Sequence, residues 1–234
     1  LGAIVPQLLI VHENTATELA SVWVAPVINP PFSGIVPSPL LPPLIPEVLL
    51  PAQFDRPFPD PIAQQLNDTA RSITVKVLSG ESWGSGIAIA RQGKQYTIVT
   101  NAHVVSAQET IRIQTPDDRV YAAVSVEVER FKGYDWAIVT FESEGAEYPI
   151  ATIADAPRLQ EGDPLVAVGF PFSGDPAVDA GFKFTMGRVA LIPELSLIDG
   201  YQIGYTNDVE KGMSGGPVLN RRGEVVAING MHAY

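Results

Sequence analysis

The sequence predicts an all-β fold, an antiparallel sandwich or a pair of barrels, preceded by an extended proline-rich arm. Two observations carry this. From residue 72 onward the chain is a series of short stretches rich in β-branched residues. They are separated by turn clusters such as Gln92-Gly93, Pro116-Asp117-Asp118, Gly162-Asp163 and Arg222-Gly223, and no helices alternate with them. Before that point, thirteen of the 21 prolines lie at or before Pro61, which rules out ordinary helix or central strand there.

Taken in order, Ala3–Val11 and Leu19–Val27 read as short apolar strands or packed segments. Residues 1–61 form the arm, running largely as polyproline II. The residues between its prolines are apolar (Leu40, Leu41, Leu44, Ile45, Val48), which fits packing against the domain or a partner better than a solvated linker. Residues 62–234 form the globular part. A short helix at Ile62–Ala70 leads into strands at Ser72–Leu78, Gly86–Ala90, Tyr96–Thr100, Thr110–Gln114, Tyr121–Glu129 and Trp136–Phe141. Further strands follow at Pro164–Gly169, Phe182–Ile192, Tyr201–Thr206, Pro217–Leu219 and Val225–Asn229.

Composition narrows the function. With 26 acidic against 15 basic residues and a net charge of −11, the chain has no excess of cations to replace phosphate counterions, so nucleic acid is excluded as a partner. The absence of cysteine removes disulfides, thiolate metal sites and a cysteine nucleophile. No apolar run approaches the roughly 18 residues that span a bilayer.

Three segments carry chemistry. In Thr100-Asn101-Ala102-His103-Val104-Val105, an apolar strand delivers a histidine at its end, where a rigid scaffold can hold a group that exchanges protons near neutrality. Alone, such a histidine is more often a packed core residue. In Tyr134-Asp135-Trp136-Ala137-Ile138, a carboxylate stands at the mouth of a buried strand and needs a partner; an imidazole N–H fits, and so does a strand cap. In Gly212-Met213-Ser214-Gly215-Gly216-Pro217, a serine sits among glycines that let a peptide come close, with the Gly212 and Ser214 amides placed to hold an oxyanion. A flexible turn is the alternative, against which Pro217-Val218-Leu219 argues.

These segments, in this order, resemble the triad segments of the chymotrypsin/trypsin superfamily. They are most similar to its cysteine-free bacterial members, including the protease domain of the Deg/HtrA type. Gly84-Ser85-Gly86-Ile87, Val166-Ala167-Val168-Gly169-Phe170-Pro171 and Gly223-Glu224-Val225-Val226-Ala227-Ile228-Asn229 extend the resemblance over about Ser72 to Tyr234. It implies two six-stranded antiparallel barrels, at about 72–145 and 150–234, with the active site in the cleft between them. It implies His103 as base, Asp135 as its orienter, Ser214 as nucleophile, polypeptide substrates and no cofactor or metal.

The sequence departs from that pattern at Met213, where relatives carry Asp or Asn, and at the end, where the final strand of the second barrel is missing or replaced by the N-terminal segment. A PDZ domain is not expected after this protease domain. Asp208, six residues before Ser214, is the expected floor of a pocket for Lys or Arg, and Asn229-Gly230-Met231 the expected wall pairing with an extended peptide. The resemblance further implies a secreted or periplasmic compartment and homo-oligomers tied through the arm. The rival reading is a latent or non-catalytic peptide-binding module held by that arm.

Overall fold

Strand pairing, more than helix packing, organises the chain. The computed structural model describes residues 21–24, 60–105, 110–128, 134–154, 159–193 and 201–232. The expectations for Ala3–Val11 and for residues 25–59 of the arm lie outside the described residues. The strands are β1 Ser21–Val24, β2 Thr74–Ser79, β3 Ser82–Gln92, β4 Gln95–Thr100, β5 Ile111–Gln114, β6 Val120–Glu127 and β7 Ala137–Glu142. They continue with β8 Pro164–Gly169, β9 Lys183–Leu191, β10 Tyr201–Tyr205, β11 Pro217–Leu219 and β12 Val225–His232. Helix α1 (Asp60–Ile73) precedes β2, and the single turn α2 (Ala102–Val105) follows β4.

Two closed barrels result, in the orders β2-β3-β4-β7-β6-β5 and β1-β10-β9-β8-β11-β12. Both have the six strands that the sequence implied. The second differs from an all-antiparallel barrel at one strand, because β1 runs parallel to both neighbours, with Ser21 in register with Tyr201 on β10 and with Ile228 on β12. The place expected to lack a strand is thus occupied by part of the Leu19–Val27 segment.

Several strands read as continuous apolar runs because both their faces are buried. Successive side chains alternate between faces. On β8, Leu165 and Ala167 enter the second barrel, whereas Val166 and Val168 turn to the seam between barrels. On β4, Tyr96 and Ile98 fill the first barrel and Val99 joins the seam. Leu66, Ala70 and Ile73 of α1, spaced along one helical face, complete this seam with Trp136, Ile138, Val225 and Ile228. The helix is longer than expected. Pro61 suits a first helical turn, and at the other end the Thr74 hydroxyl donates to the Ala70 carbonyl at 2.6 Å, carrying helical structure through Ile73. Strand β3 also begins earlier than expected, since Ser82-Trp83-Gly84-Ser85 pairs with β2 instead of turning.

A polar latch joins the barrels beside the apolar seam. Lys76 on β2 is only 5% exposed and its Nζ lies 2.5 Å from Asp179 Oδ2, in the segment between β8 and β9. The ammonium also stands 4.7 Å from the Trp83 ring centre and 5.1 Å from that of Phe170. Lys76 holds the Asp179 carboxyl below its ordinary value, against a smaller upward pull from burial. A depressed carboxylate contributes stability that is complete above its unfolded value of about 4 and is lost as pH falls through the folded one. Asp179→Asn leaves a buried ammonium without its anion and is expected to lower the melting temperature by about 3–6 °C at pH 7. Melts at falling pH should show the gap to wild type narrowing towards about pH 3; an unchanged gap would detach the effect from the ion pair.

Candidate active site

The three motif segments converge where the barrels meet. Asp135 precedes β7, and its side chain is 10% exposed. Its Oδ2 lies 2.6 Å from His103 Nδ1, and its Oδ1 accepts from the His103 backbone amide at 3.0 Å. The carboxylate therefore grips both ring and main chain of one residue. Burial pulls the Asp135 carboxyl up, but hydrogen bonds and the charge interaction from His103, joined by a hydroxyl from Tyr201, outweigh this and hold it below the usual carboxylate range. His103 sits on the one-turn helix α2, directly beyond β4, and half of its side chain faces solvent. Asn101, fully buried, donates from Nδ2 to the Asp135 carbonyl at 2.8 Å, so the residue two before the histidine anchors the backbone of its partner.

Ser214 belongs to the loop between β10 and β11, in the second barrel. Its carbonyl accepts from the Ser85 amide on β3 at 2.7 Å. Gly84 lies between this carbonyl and the neighbour of His103: a Cβ built there would stand 2.6 Å from both γ-carbons of Val104 and 3.1 Å from the Ser214 oxygen. The helix that bears His103 and the serine loop thus approach within the width of one glycine. The Ser214 hydroxyl donates to the Gly230 carbonyl at 3.1 Å.

The amides around the serine divide into two groups. Those of Met213, Gly215 and Gly216 donate to Glu210, Asn229 and Met213 carbonyls respectively. Among the described residues, no hydrogen bond engages the amides of Gly212 and Ser214. Two adjacent donors left open in a folded loop are suited to an incoming oxygen that carries negative charge. Met213 is fully buried in the second-barrel core, where its sulfur accepts from the Glu210 amide at 3.4 Å, so an apolar side chain fastens this loop from beneath.

Ser85 is a residue the sequence reading passed over except as part of a match. Its hydroxyl donates to the Gly212 carbonyl and accepts from the Phe170 amide, both at 2.9 Å, while its own carbonyl accepts from Thr100 Oγ1 at 2.6 Å. Tyr201, read only as a strand residue, brings its hydroxyl to 2.6 Å from Asp135 Oδ2. No local motif marks either residue, because their partners lie far away in sequence.

The expected specificity residues each have partners in the fold. Asp208 is 82% exposed, and its carboxylate is held at 2.7 Å by Lys183, which also pairs with Glu210. Asn229 is buried: its amide donates to Gly216, its carbonyl accepts from Gly215, and its side-chain oxygen accepts from the buried Tyr205 hydroxyl at 2.5 Å. Gly230 takes the Ser214 hydroxyl, and Met231 follows it on β12.

Gly215 has φ +87°, and a Cβ there would meet the Ser85 carbonyl oxygen at 2.0 Å and Thr100 Oγ1 at 2.3 Å. Gly93 also has positive φ, at +60°, but faces open space. Gly93→Ala is expected to lower the melting temperature by about 2–4 °C through backbone strain alone, and Gly215→Ala by at least twice as much. Equal losses in thermal melts would show that close approach at Gly215 is unimportant.

Comparison with known proteins agrees with this geometry. The trypsin-like peptidase domain family matches residues 84–228. The putative serine protease HhoA of Synechocystis sp. is 31% identical over 186 residues, covering 78% of this chain and 45% of HhoA. A probable periplasmic DegP-like serine endoprotease of Marinomonas sp. is 32% identical over 148 residues, 63% of this chain and 29% of that protein. The chain thus spans less than half the length of these relatives. Among solved structures, the inactive form of the Rv3671c protease superposes with a TM-score of 0.57 at 25% identity, over 74% of this chain and 83% of that one. With the matched region spanning both barrels and all three motif segments, the chain belongs to the trypsin-like peptidase family, alongside relatives of the HtrA/DegP type.

Proposed function

We propose that the protein is a serine endopeptidase in which Ser214 is the nucleophile, His103 the general base and Asp135 the group that orients it. The observation that carries this is the His103–Asp135 pair held at 2.6 Å beside a serine loop whose Gly212 and Ser214 amides stand open. Ser214 Oγ attacks the scissile carbonyl as His103 Nε2 takes its proton. The oxyanion that forms is received by the two amides, and the protonated imidazole, stabilised by Asp135 on Nδ1, returns the proton to the departing amine. Water, activated by the same imidazole, then hydrolyses the acyl-enzyme. The cycle balances without a metal or cofactor.

Polypeptides are the substrates this reaction class takes. Gly230 and Met231 supply the strand against which an extended chain pairs, while Asn229 braces them. Basic P1 selection by Asp208 competes with Lys183, which already neutralises that carboxylate. A secreted or periplasmic compartment is consistent with the relatives, one of which bears a periplasmic name. Association of copies through residues 1–61 completes the proposal, and light scattering of full-length and shortened chains tests it.

Ser214→Ala is expected to reduce casein or peptide cleavage by roughly 10⁶-fold and to abolish labelling by a fluorophosphonate probe. Asp135→Asn should keep the fold and lower kcat by about 10⁴-fold, through the wrong histidine tautomer. Undiminished cleavage by purified Ser214→Ala protein would sink the assignment. In library profiling, Lys183→Met should strengthen any preference for Lys or Arg at P1; an unaltered profile places Asp208 outside the pocket.

A further inference from the structure

We infer that Tyr201 is a positioning residue of the catalytic pair, its hydroxyl fixing the Asp135 carboxylate from the opposite barrel. The inference rests on Asp135 being the partner of His103, as proposed above.

Among the described residues, the donors to this carboxylate divide by origin. His103 supplies two, from Nδ1 to Oδ2 and from its amide to Oδ1. Both come from the residue that the carboxylate is there to orient, so neither can serve as an independent reference. Tyr201 supplies a third, at 2.6 Å from Oδ2, and comes from β10 in the second barrel. It ties the carboxylate of the first barrel to the barrel that carries Ser214.

The ring is held for this task. Tyr201 is fully buried, and a buried hydroxyl is costly unless it is bonded, so a purely space-filling role would be met better by phenylalanine. Gly230 makes room for it: a Cβ there would stand 2.2 Å from Tyr201 Cε1 and 2.8 Å from both Cζ and the hydroxyl oxygen. The carbonyl of that same glycine accepts from Ser214. One aromatic side chain therefore bonds the carboxylate that anchors the base and packs on the glycine whose carbonyl accepts the Ser214 hydroxyl.

Tyr201→Phe removes the hydroxyl and keeps the ring. It is expected to lower kcat on a peptide substrate by about 10-fold, as for loss of a hydrogen bond to a charged group, with KM within about twofold of wild type. Melting temperatures confirm that the fold is kept. The double-mutant cycle with Asp135→Asn separates positioning from packing. Acting through Asp135, Tyr201→Phe should cost less than about twofold in the Asp135→Asn background; a similar loss in both backgrounds overturns the inference. Unchanged kcat in Tyr201→Phe, alongside a large loss in Asp135→Asn, also overturns it and leaves the proposed pair standing. Wild-type turnover by Asp135→Asn removes the proposed pair and the inference with it.

Discussion

The hydrogen bond from the Ser85 amide to the Ser214 carbonyl, at 2.7 Å, is the contact on which the site depends. Neither barrel alone contains the proposed chemistry. His103 and Asp135 stand on one and Ser214 on the other, so their geometry is no better than the register between barrels. The apolar seam of α1, β4, β7, β8 and β12 brings the barrels together but, being non-directional, cannot set that register. Ser85 can, because one residue bonds the serine loop through its amide and hydroxyl and holds Phe170 and Thr100 as well. Sub-ångström placement of reacting groups is worth orders of magnitude in rate, which is why a polar, directional joint lies beside an apolar one.

The loop carrying Ser214 is fastened from several directions. Asn229 holds Gly215 and Gly216, Ser85 holds Gly212 and Ser214, and Met213 fills the core beneath. The Phe172 amide donates to the Lys211 carbonyl at 2.7 Å, and Phe172 packs edge-on against Trp83. The Lys76–Asp179 latch anchors the same stretch between β8 and β9. These ties fix the Gly212 and Ser214 amides in an orientation set before any ligand arrives, which is the condition for electrostatic preorganisation. An acidic chain has placed one of its few lysines in a nearly dry position to achieve part of this.

Much of this was legible in the sequence, and the reasons are physical. Alternation and turn chemistry mark most strands because each buries one or two faces of a sheet. The three motif segments announce themselves because a rigid histidine, a paired carboxylate and a serine among glycines each need special neighbours. What escaped was non-local. Ser82–Ser85 lacks the β-branched residues that mark a strand, being built of Ser, Gly and Trp, yet β2 recruits it. Tyr201 reads as an ordinary strand aromatic, since its partner Asp135 is fixed only by the fold. Asp208 reads as a pocket acid, and its ion pair with Lys183, 25 residues away, leaves no local mark. Local pattern carries local structure, whereas pairing across the seam is decided by tertiary context.

Strand β1 has a consequence for the order in which the protein is made. Its register partners Tyr201 and Ile228 lie near the far end of the chain, whereas the first barrel is assembled from strands close together in sequence. During synthesis from the N-terminus, β1 emerges before the other described strands and must wait until β10 and β12 have both left the ribosome. Contacts of such long range are entropically late. The first barrel can form while β1 is still unpaired, but the second cannot close. Because Tyr201 lies on the strand that β1 pairs with, and Gly230 on the other, maturation of the site coincides with that final closure. A nascent chain therefore holds the His103 and Asp135 segments well before β1 closes the second barrel.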